Sequence, residues 1–170
     1  MSARLSTAIR IGDAARAILR KTRSFPDGGF GECEDLRHGN HIGVEPMLLA
    51  LSMELALKAW FVFDYDDPNV AKSHDLLKLF DSLKPESQEK LDAEFKRSVV
   101  PYHPNCLFMD YDIRHILFQH KDAFIDWRYL HEGGKTMSFE QSAFEATLEM
   151  VLREFEKRYY VEPFKPLLSS

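Results

Sequence analysis

The sequence from Pro46 to Phe63 reads PMLLALSMELALKAWFVF and is apolar almost all the way around a helix. A helix that is hydrophobic on every face is typically buried, because each face needs apolar neighbours. The charged residues within this stretch are Glu54 and Lys58. They lie four residues apart with the acid first, the favourable order for a helical ion pair, and a buried charge needs a partner. The segment therefore predicts a central core helix with paired charges inside it.

The rest of the chain also predicts helices. No sustained alternation of apolar and polar residues marks a strand. Ser73 is expected to cap the third helix, and Ser138 with Gln141 has the spacing of a capping box at the start of the sixth. The six predicted helices span about residues 3–21, 46–63, 74–83, 85–99, 108–132 and 138–160. The sequence thus predicts an all-α fold.

The fifth predicted helix has the clearest periodicity. The members of its apolar stripe lie within about 60° of Ile113 on a helical wheel, and the stripe consists of Ile113, Ile116, Leu117, His120, Phe124, Trp127 and His131. Two histidines on an otherwise apolar stripe are either core residues with hydrogen-bonded rings or members of a site. Phe118 points away from this stripe, and Trp60, Phe61 and Phe63 cannot all face one core. The excess apolar surface indicates a second buried face and hence a homodimer.

Length and composition limit the class of protein. A chain of 170 residues is expected to form one domain. The two cysteines, Cys33 and Cys106, form neither a metal-binding spacing nor a disulfide framework, which favours a reducing cytoplasm. No signal peptide or membrane-spanning run is expected. The net charge of -5 argues against a broad surface for duplex nucleic acid.

The first helix is an exception to the acidic balance. Its basic residues are Arg4, Arg10, Arg16, Arg20, Lys21 and Arg23. Such a run is either a solvated outer face or a local patch for nucleic acid. The sequence leaves both interpretations open.

Three motifs in this order resemble the HEPN superfamily, the higher-eukaryote and prokaryote nucleotide-binding helical domains. They are SMELALKAW with Glu54 and Lys58, SHDLLKLF with His74 and Asp75, and AFIDWRYLHE at residues 123–132. The resemblance covers about residues 46–159 and is to bacterial members of unassigned role. It implies an antiparallel up-and-down bundle of about five to six helices, commonly homodimeric. Residues 1–43 then look like an added helix and loop, residues 44–160 like the bundle core, and residues 161–170 like a tail.

Many members of that family cleave RNA without a metal, through an arginine and a histidine with four to six residues between them. In this chain Arg128 and His131 have two intervening residues, whereas Arg114 and His120 have five but lie about 120° apart on a helix. The resemblance makes these four residues the candidates for catalysis, with histidine as acid or base and arginine beside the phosphate. The alternative is that His120 is a core histidine satisfied by a neighbour.

The second candidate is a polar network. Arg128 at the edge of the stripe is expected to reach Glu54 as a buried ion pair, in a network that also includes Lys58, His74 and Asp75. Asp75 has a local alternative, since an acid in the first turn of the third helix suits the helix dipole. His38, His41 and His103 lack the spacing of metal ligands. No metal or other cofactor is predicted.

The resulting expectation is a cytoplasmic HEPN-like bundle that acts as a binding or accessory module. RNA or a nucleotide is the expected ligand class, and family habit suggests a nucleotidyltransferase as a partner. The alternative is a metal-independent endoribonuclease or toxin of a bacterial defence or stress system. The sequence leaves open whether the chain is an enzyme.

Overall fold

The structure, a computed structural model, describes residues 3–24, 44–70, 72–103, 111–129 and 138–159. In these ranges it contains helices and no strand, so the prediction of an all-α fold is confirmed. The helices are α1 (Ala3–Thr22), α2 (Val44–Tyr65), α3 (Leu76–Asp81), α4 (Pro85–Ser98), α5 (Ile113–Gln119), α6 (Ala123–Arg128) and α7 (Gln141–Glu156). A short 3-10 turn, Val100–Tyr102, follows α4. The protein is a bundle of these helices.

Helix α2 lies at the centre of the bundle, as its apolar sequence predicts. It packs against α1, α3, α6 and α7. Leu49, Met53, Leu57 and Trp60 of this helix are fully buried. By length and composition α2 also meets the criteria for a membrane-spanning helix, but 56% of that stretch is buried inside the bundle. Its hydropathy is accounted for by its place in the core.

Helix α1 contributes to the same core. It makes its most extensive contact with α2, and Ala8, Ala15 and Leu19 are buried there. Gly12 allows a close approach to α7, because a Cβ atom at this position would lie 2.8 Å from Cε1 of Phe155. The residues that the sequence suggested as an added helix therefore pack directly on the central helix.

The long fifth helix of the prediction is wrong. The described segment forms two helices, with α5 ending at Gln119 and α6 starting at Ala123. Nδ1 of His120 lies 2.8 Å from the carbonyl oxygen of Ile116. That carbonyl would accept the backbone N–H of residue 120 in a continuing helix, so the imidazole takes the place of a backbone donor. A single helical wheel therefore does not predict correctly which way the side chains of α6 face relative to those of α5.

Two other predicted helix starts are displaced. α3 begins at Leu76 and is capped by Asp75, whose carboxylate accepts the backbone N–H of Lys78. The predicted cap, Ser73, instead accepts the N–H of Asp75. α7 begins at Gln141 rather than at the predicted Ser138, and no side chain caps it. The predicted caps Ser73 and Ser138 therefore do not cap these helices, because each helix begins three residues after its serine.

Candidate functional site

Glu54, Lys58 and His74 come together beside α2. The Glu54 side chain is 4% exposed, and its two carboxylate oxygens have separate partners. Lys58 donates to Oε1 at 2.6 Å, and Nδ1 of His74 lies 2.8 Å from Oε2. A buried carboxylate costs free energy unless it is compensated, and two cationic or hydrogen-bonding neighbours provide that compensation. The predicted contacts among these three residues are present.

The ring of His74 is held on two sides. Besides the bond to Glu54, it stacks on Phe124 of α6, with the ring centroids 4.9 Å apart and the planes inclined by 27°. Its side chain is nevertheless 48% exposed. His74 thus combines a fixed orientation with access to solvent.

Local interactions at the start of α3 place His74. The backbone N–H of Leu76 donates to the carbonyl oxygen of Lys121 at 3.2 Å, which attaches this start to the turn before α6. Asp75 belongs to the cap rather than to the carboxylate cluster. Partial burial acts to raise the pKa of Asp75, but hydrogen bonds from the backbone and side chain of Lys78 outweigh it and lower the pKa. The local interpretation of Asp75 is therefore the one that the contacts support.

The predicted ion pair between Arg128 and Glu54 is absent. Arg128 is exposed, and its guanidinium lies 5.6 Å from the centroid of the Tyr129 ring. Among the described residues, Lys58 is the ion-pair partner of Glu54 and His74 is its hydrogen-bond partner. The break at His120 is the physical reason, since the prediction placed Arg128 on a helix that continues unbroken from α5.

His120 is a buried histidine with both ring nitrogens engaged. Nδ1 donates to the carbonyl oxygen of Ile116, and Nε2 accepts the backbone N–H of Glu140 at 3.0 Å. The residue is 4% exposed and packs against the rings of Phe139 and Phe144. Burial lowers the pKa of His120, although the bond to Ile116 and the charge of Glu140 act in the other direction. The core interpretation of His120 matches this geometry.

The two candidate arginines in the described residues, Arg114 and Arg128, do not pair with His120. Arg114 forms an exposed ion pair with Asp81 of α3. His131 lies outside the described residues, as do His38, His41 and Cys33. In the ranges that the structure describes, no group of three potential ligands is placed to hold a metal ion.

A second buried acid, Asp64, was missed by the sequence analysis. Its side chain is fully buried at the end of α2, where it accepts hydrogen bonds from the Ser87 hydroxyl at 2.9 Å and from the guanidinium of Arg158. That guanidinium also lies over the rings of Trp60 and Phe63, at 4.7 Å and 4.3 Å from their centroids. The cluster joins α2, α4 and the end of α7. The second helix predicted from the sequence ends just before Asp64.

The basic first helix is partly explained by contacts with α7. Arg16 pairs with Glu156 at 3.2 Å, and Arg23 pairs with Glu145 and Glu149. The two carboxylates beside Arg23 raise the pKa of its guanidinium. Arg10, Arg20 and Lys21 are exposed. Part of the basic run therefore attaches α1 to the bundle.

Exposed apolar side chains concentrate on the segment that carries α5 and α6. Phe118 is 58% exposed, Ile125 41% and Tyr129 45%. The exposure of Phe118 agrees with its predicted position off the apolar stripe. Large side chains of this kind mark potential contact surfaces when they occur together on one face.

Comparisons with models of protein families, with curated proteins and with solved structures found no match to this chain. The fold and the side-chain clusters define the class of protein, an all-α helical bundle with compensated buried acids.

Proposed function

We propose that this chain is a HEPN-like cytoplasmic module that acts by binding, with RNA or a nucleotide as its ligand class, and that it does not cleave RNA through His120. The proposed family rests on the three sequence motifs. Two of them supply the cluster of Glu54, Lys58 and His74. The third supplies Phe124, which stacks on His74.

The engaged ring of His120 is the observation that carries the proposal. A general acid or base must reach the proton that it transfers, directly or through one water. His120 is buried, its Nδ1 donates to Ile116, and its Nε2 accepts from Glu140. Protonation at Nε2 would place a second donor against the N–H of Glu140. This histidine is therefore built to hold the turn between α5 and α6 and the start of α7.

Arg114 supports the same conclusion. A phosphate clamp beside a catalytic histidine needs a guanidinium that is directed at the site. Arg114 instead pairs with Asp81 and so connects α5 to α3. The alternative ribonuclease now depends on Arg128 and His131, which the sequence places at an unusual separation.

The test is incubation of the purified chain with bulk RNA in EDTA. We expect the RNA to stay intact with the wild-type protein and with the His131→Ala variant. RNA degradation by the wild type that is lost in His131→Ala and kept in the structural control Arg114→Ala would establish the ribonuclease instead. Loss of the same activity in a folded His120→Ala variant would overturn the role given to His120.

The binding part of the proposal has its own measurement. Fluorescence anisotropy of a labelled single-stranded RNA is expected to rise with protein concentration in the micromolar range. Arg10→Ala tests whether an exposed arginine of α1 contributes, and Asp13→Asn on the same helix is the matched control. Absence of binding to RNA and to nucleotides would overturn the proposed ligand class.

We place a homodimer contact on the segment with Phe118, Ile125 and Tyr129 exposed. Mass photometry should then show a species of twice 19.8 kDa. Phe118→Glu and Ile125→Glu are expected to shift it to the monomer, because each places a charge at the contact. Tyr102→Glu is the control, since Tyr102 is 78% exposed at the end of the 3-10 turn. A monomeric wild type at micromolar concentration would contradict the dimer and leave a heterologous partner, such as a nucleotidyltransferase, to be tested by co-purification.

A further inference from the structure

We infer that Glu54, Lys58, His74 and Phe124 form a binding site for an uncharged group that donates a hydrogen bond to Nε2 of His74, such as a hydroxyl or amino group of a nucleoside. The inference deepens the proposed function, and it rests on that function for the choice of nucleosides. It assigns recognition of the uncharged part of the ligand to His74.

The geometry selects the tautomer of His74. An ionised carboxylate accepts hydrogen bonds, so Glu54 favours the proton on Nδ1, at 2.8 Å from its Oε2. In the neutral imidazole the lone pair is then on Nε2. In the described part of the chain Nε2 has no hydrogen-bond partner, and the side chain is 48% exposed. His74 therefore offers a hydrogen-bond acceptor of fixed direction.

Stability alone does not account for this arrangement. Lys58 already lies 2.6 Å from the carboxylate of Glu54, and it is less exposed than His74. The hydrogen bond from His74 to Glu54 adds little to folding, because the half-exposed imidazole exchanges it for bonds to water on unfolding. What His74 adds is orientation, since the bond to Glu54 and the stacking on Phe124 restrain its ring before any ligand arrives.

The surrounding charges indicate an uncharged ligand. Lys72, two residues before His74, is an exposed cation. The other charges near His74 include three pairs of an acid and a base that face each other. These pairs are Glu54 with Lys58 on α2, Asp75 with Lys78 at α3, and Asp122 with Lys121 in the turn before α6. Phosphate sites need a surplus of cations or several directed donors. One exposed lysine beside three paired acids and bases does not make such a set, which favours a hydroxyl or amino group over a phosphate.

His115 provides a matched control within the same chain. Its Nδ1 lies 2.7 Å from a carboxylate oxygen of Asp112, its ring stacks on Tyr111, and it is 46% exposed. Asp112 is more exposed than Glu54, and His115 is explained by the capping box at the start of α5. The two histidines have similar chemistry, but only His74 joins a buried acid on one helix to an aromatic ring on another.

The experiment is a titration of ¹⁵N-labelled protein at pH 8 with each of the four ribonucleosides, followed on the histidine ring nitrogens by NMR. We expect the free protein to show His74 with its proton on Nδ1. At least one nucleoside should shift the Nε2 resonance, and AMP should bind no more than threefold tighter than adenosine. His74→Ala should weaken nucleoside binding at least fivefold, whereas His115→Ala should leave it unchanged.

Several results would overturn the inference. They are a proton on Nε2 of His74, no response of His74 to any nucleoside, an equal loss of binding in His115→Ala, or a large gain in affinity from the phosphate of AMP. Thermal unfolding of His74→Ala separates a lost contact from a lost fold, and Phe124→Leu is a second variant that removes the stacking. RNA binding that persists without a response at His74 would leave the proposed function standing and place its ligand elsewhere.

Discussion

Replacing Glu54 by Gln removes the anion that lies between Lys58 and His74. The Glu54 side chain is 4% exposed, and Lys58 is only 20% exposed. Removing one member of a fully buried ion pair costs about 3–5 kcal/mol, because the other charge is left without compensation. Here Lys58 and the half-exposed His74 can both regain some water. We therefore expect a loss of about 2 kcal/mol, less than for a fully buried pair.

Thermal unfolding measures this loss. For a chain of this size about 1 kcal/mol corresponds to roughly 2–4 °C, so Glu54→Gln should lower Tm by about 4–8 °C. A double-mutant cycle with Lys58→Met isolates the interaction. We expect the double variant to be more stable than the sum of the two single losses predicts, since it leaves no uncompensated ammonium group. Asp13→Asn is the control, because Asp13 is 58% exposed and should change stability by less than about 0.5 kcal/mol.

The refuting results are specific. An unchanged Tm in Glu54→Gln would mean that the carboxylate is not needed to compensate its neighbours. Losses from Glu54→Gln and Lys58→Met that simply add would mean that the two side chains are not coupled despite their 2.6 Å contact.

Three further predictions concern stability. Asp64→Asn should cost about 3 kcal/mol in urea unfolding, because it leaves a partly buried guanidinium without its anion, and a wild-type midpoint would contradict this. Gly12→Ala should lower Tm even though alanine favours helices, because the added Cβ would lie 2.8 Å from the buried ring of Phe155. Overpacking of this kind costs about 1–3 kcal/mol. A raised Tm would show that the ring of Phe155 can move. The pKa of His120 is lowered in the folded protein, so as pH falls the unfolded chain binds a proton before the folded protein does. Stability should be full above about pH 6.5, the ordinary pKa of histidine, and should decrease as pH falls from there through the folded pKa. Urea midpoints at pH 7.5 and pH 5 should show a decrease that is smaller in His120→Gln, and an equal decrease in that variant would assign the effect to other groups.

The accuracy of the sequence predictions depended on how local the responsible interactions were. The central helix and its pair of Glu54 and Lys58 follow from apolar composition and a four-residue spacing, which one helix satisfies by itself. α4 begins at Pro85 as predicted, because the restricted backbone of proline suits a first helical position. These features need no information from other helices.

The failures share the opposite property. Arg128 was expected at Glu54, but α5 ends before His120, whose imidazole bonds to the Ile116 carbonyl, and α6 begins separately at Ala123. Asp64 looked like a helix end, whereas its partners Ser87 and Arg158 come from distant parts of the chain. Ser87 and Arg158 carried no signal in the sequence that would have paired them with Asp64.

The sequence by itself determined that the chain is all-helical, that its most apolar helix is central, and that Glu54 has Lys58 beside it. Helical periodicity and spacing act over one or two turns, so they can be read from neighbouring residues. Only the tertiary structure decided that His74 rather than Arg128 approaches Glu54, that both ring nitrogens of His120 are hydrogen-bonded, and that Asp64 is buried. Those outcomes depend on how separate helices pack, where the cost of burying a charge is met by whichever partner the fold brings within hydrogen-bonding distance.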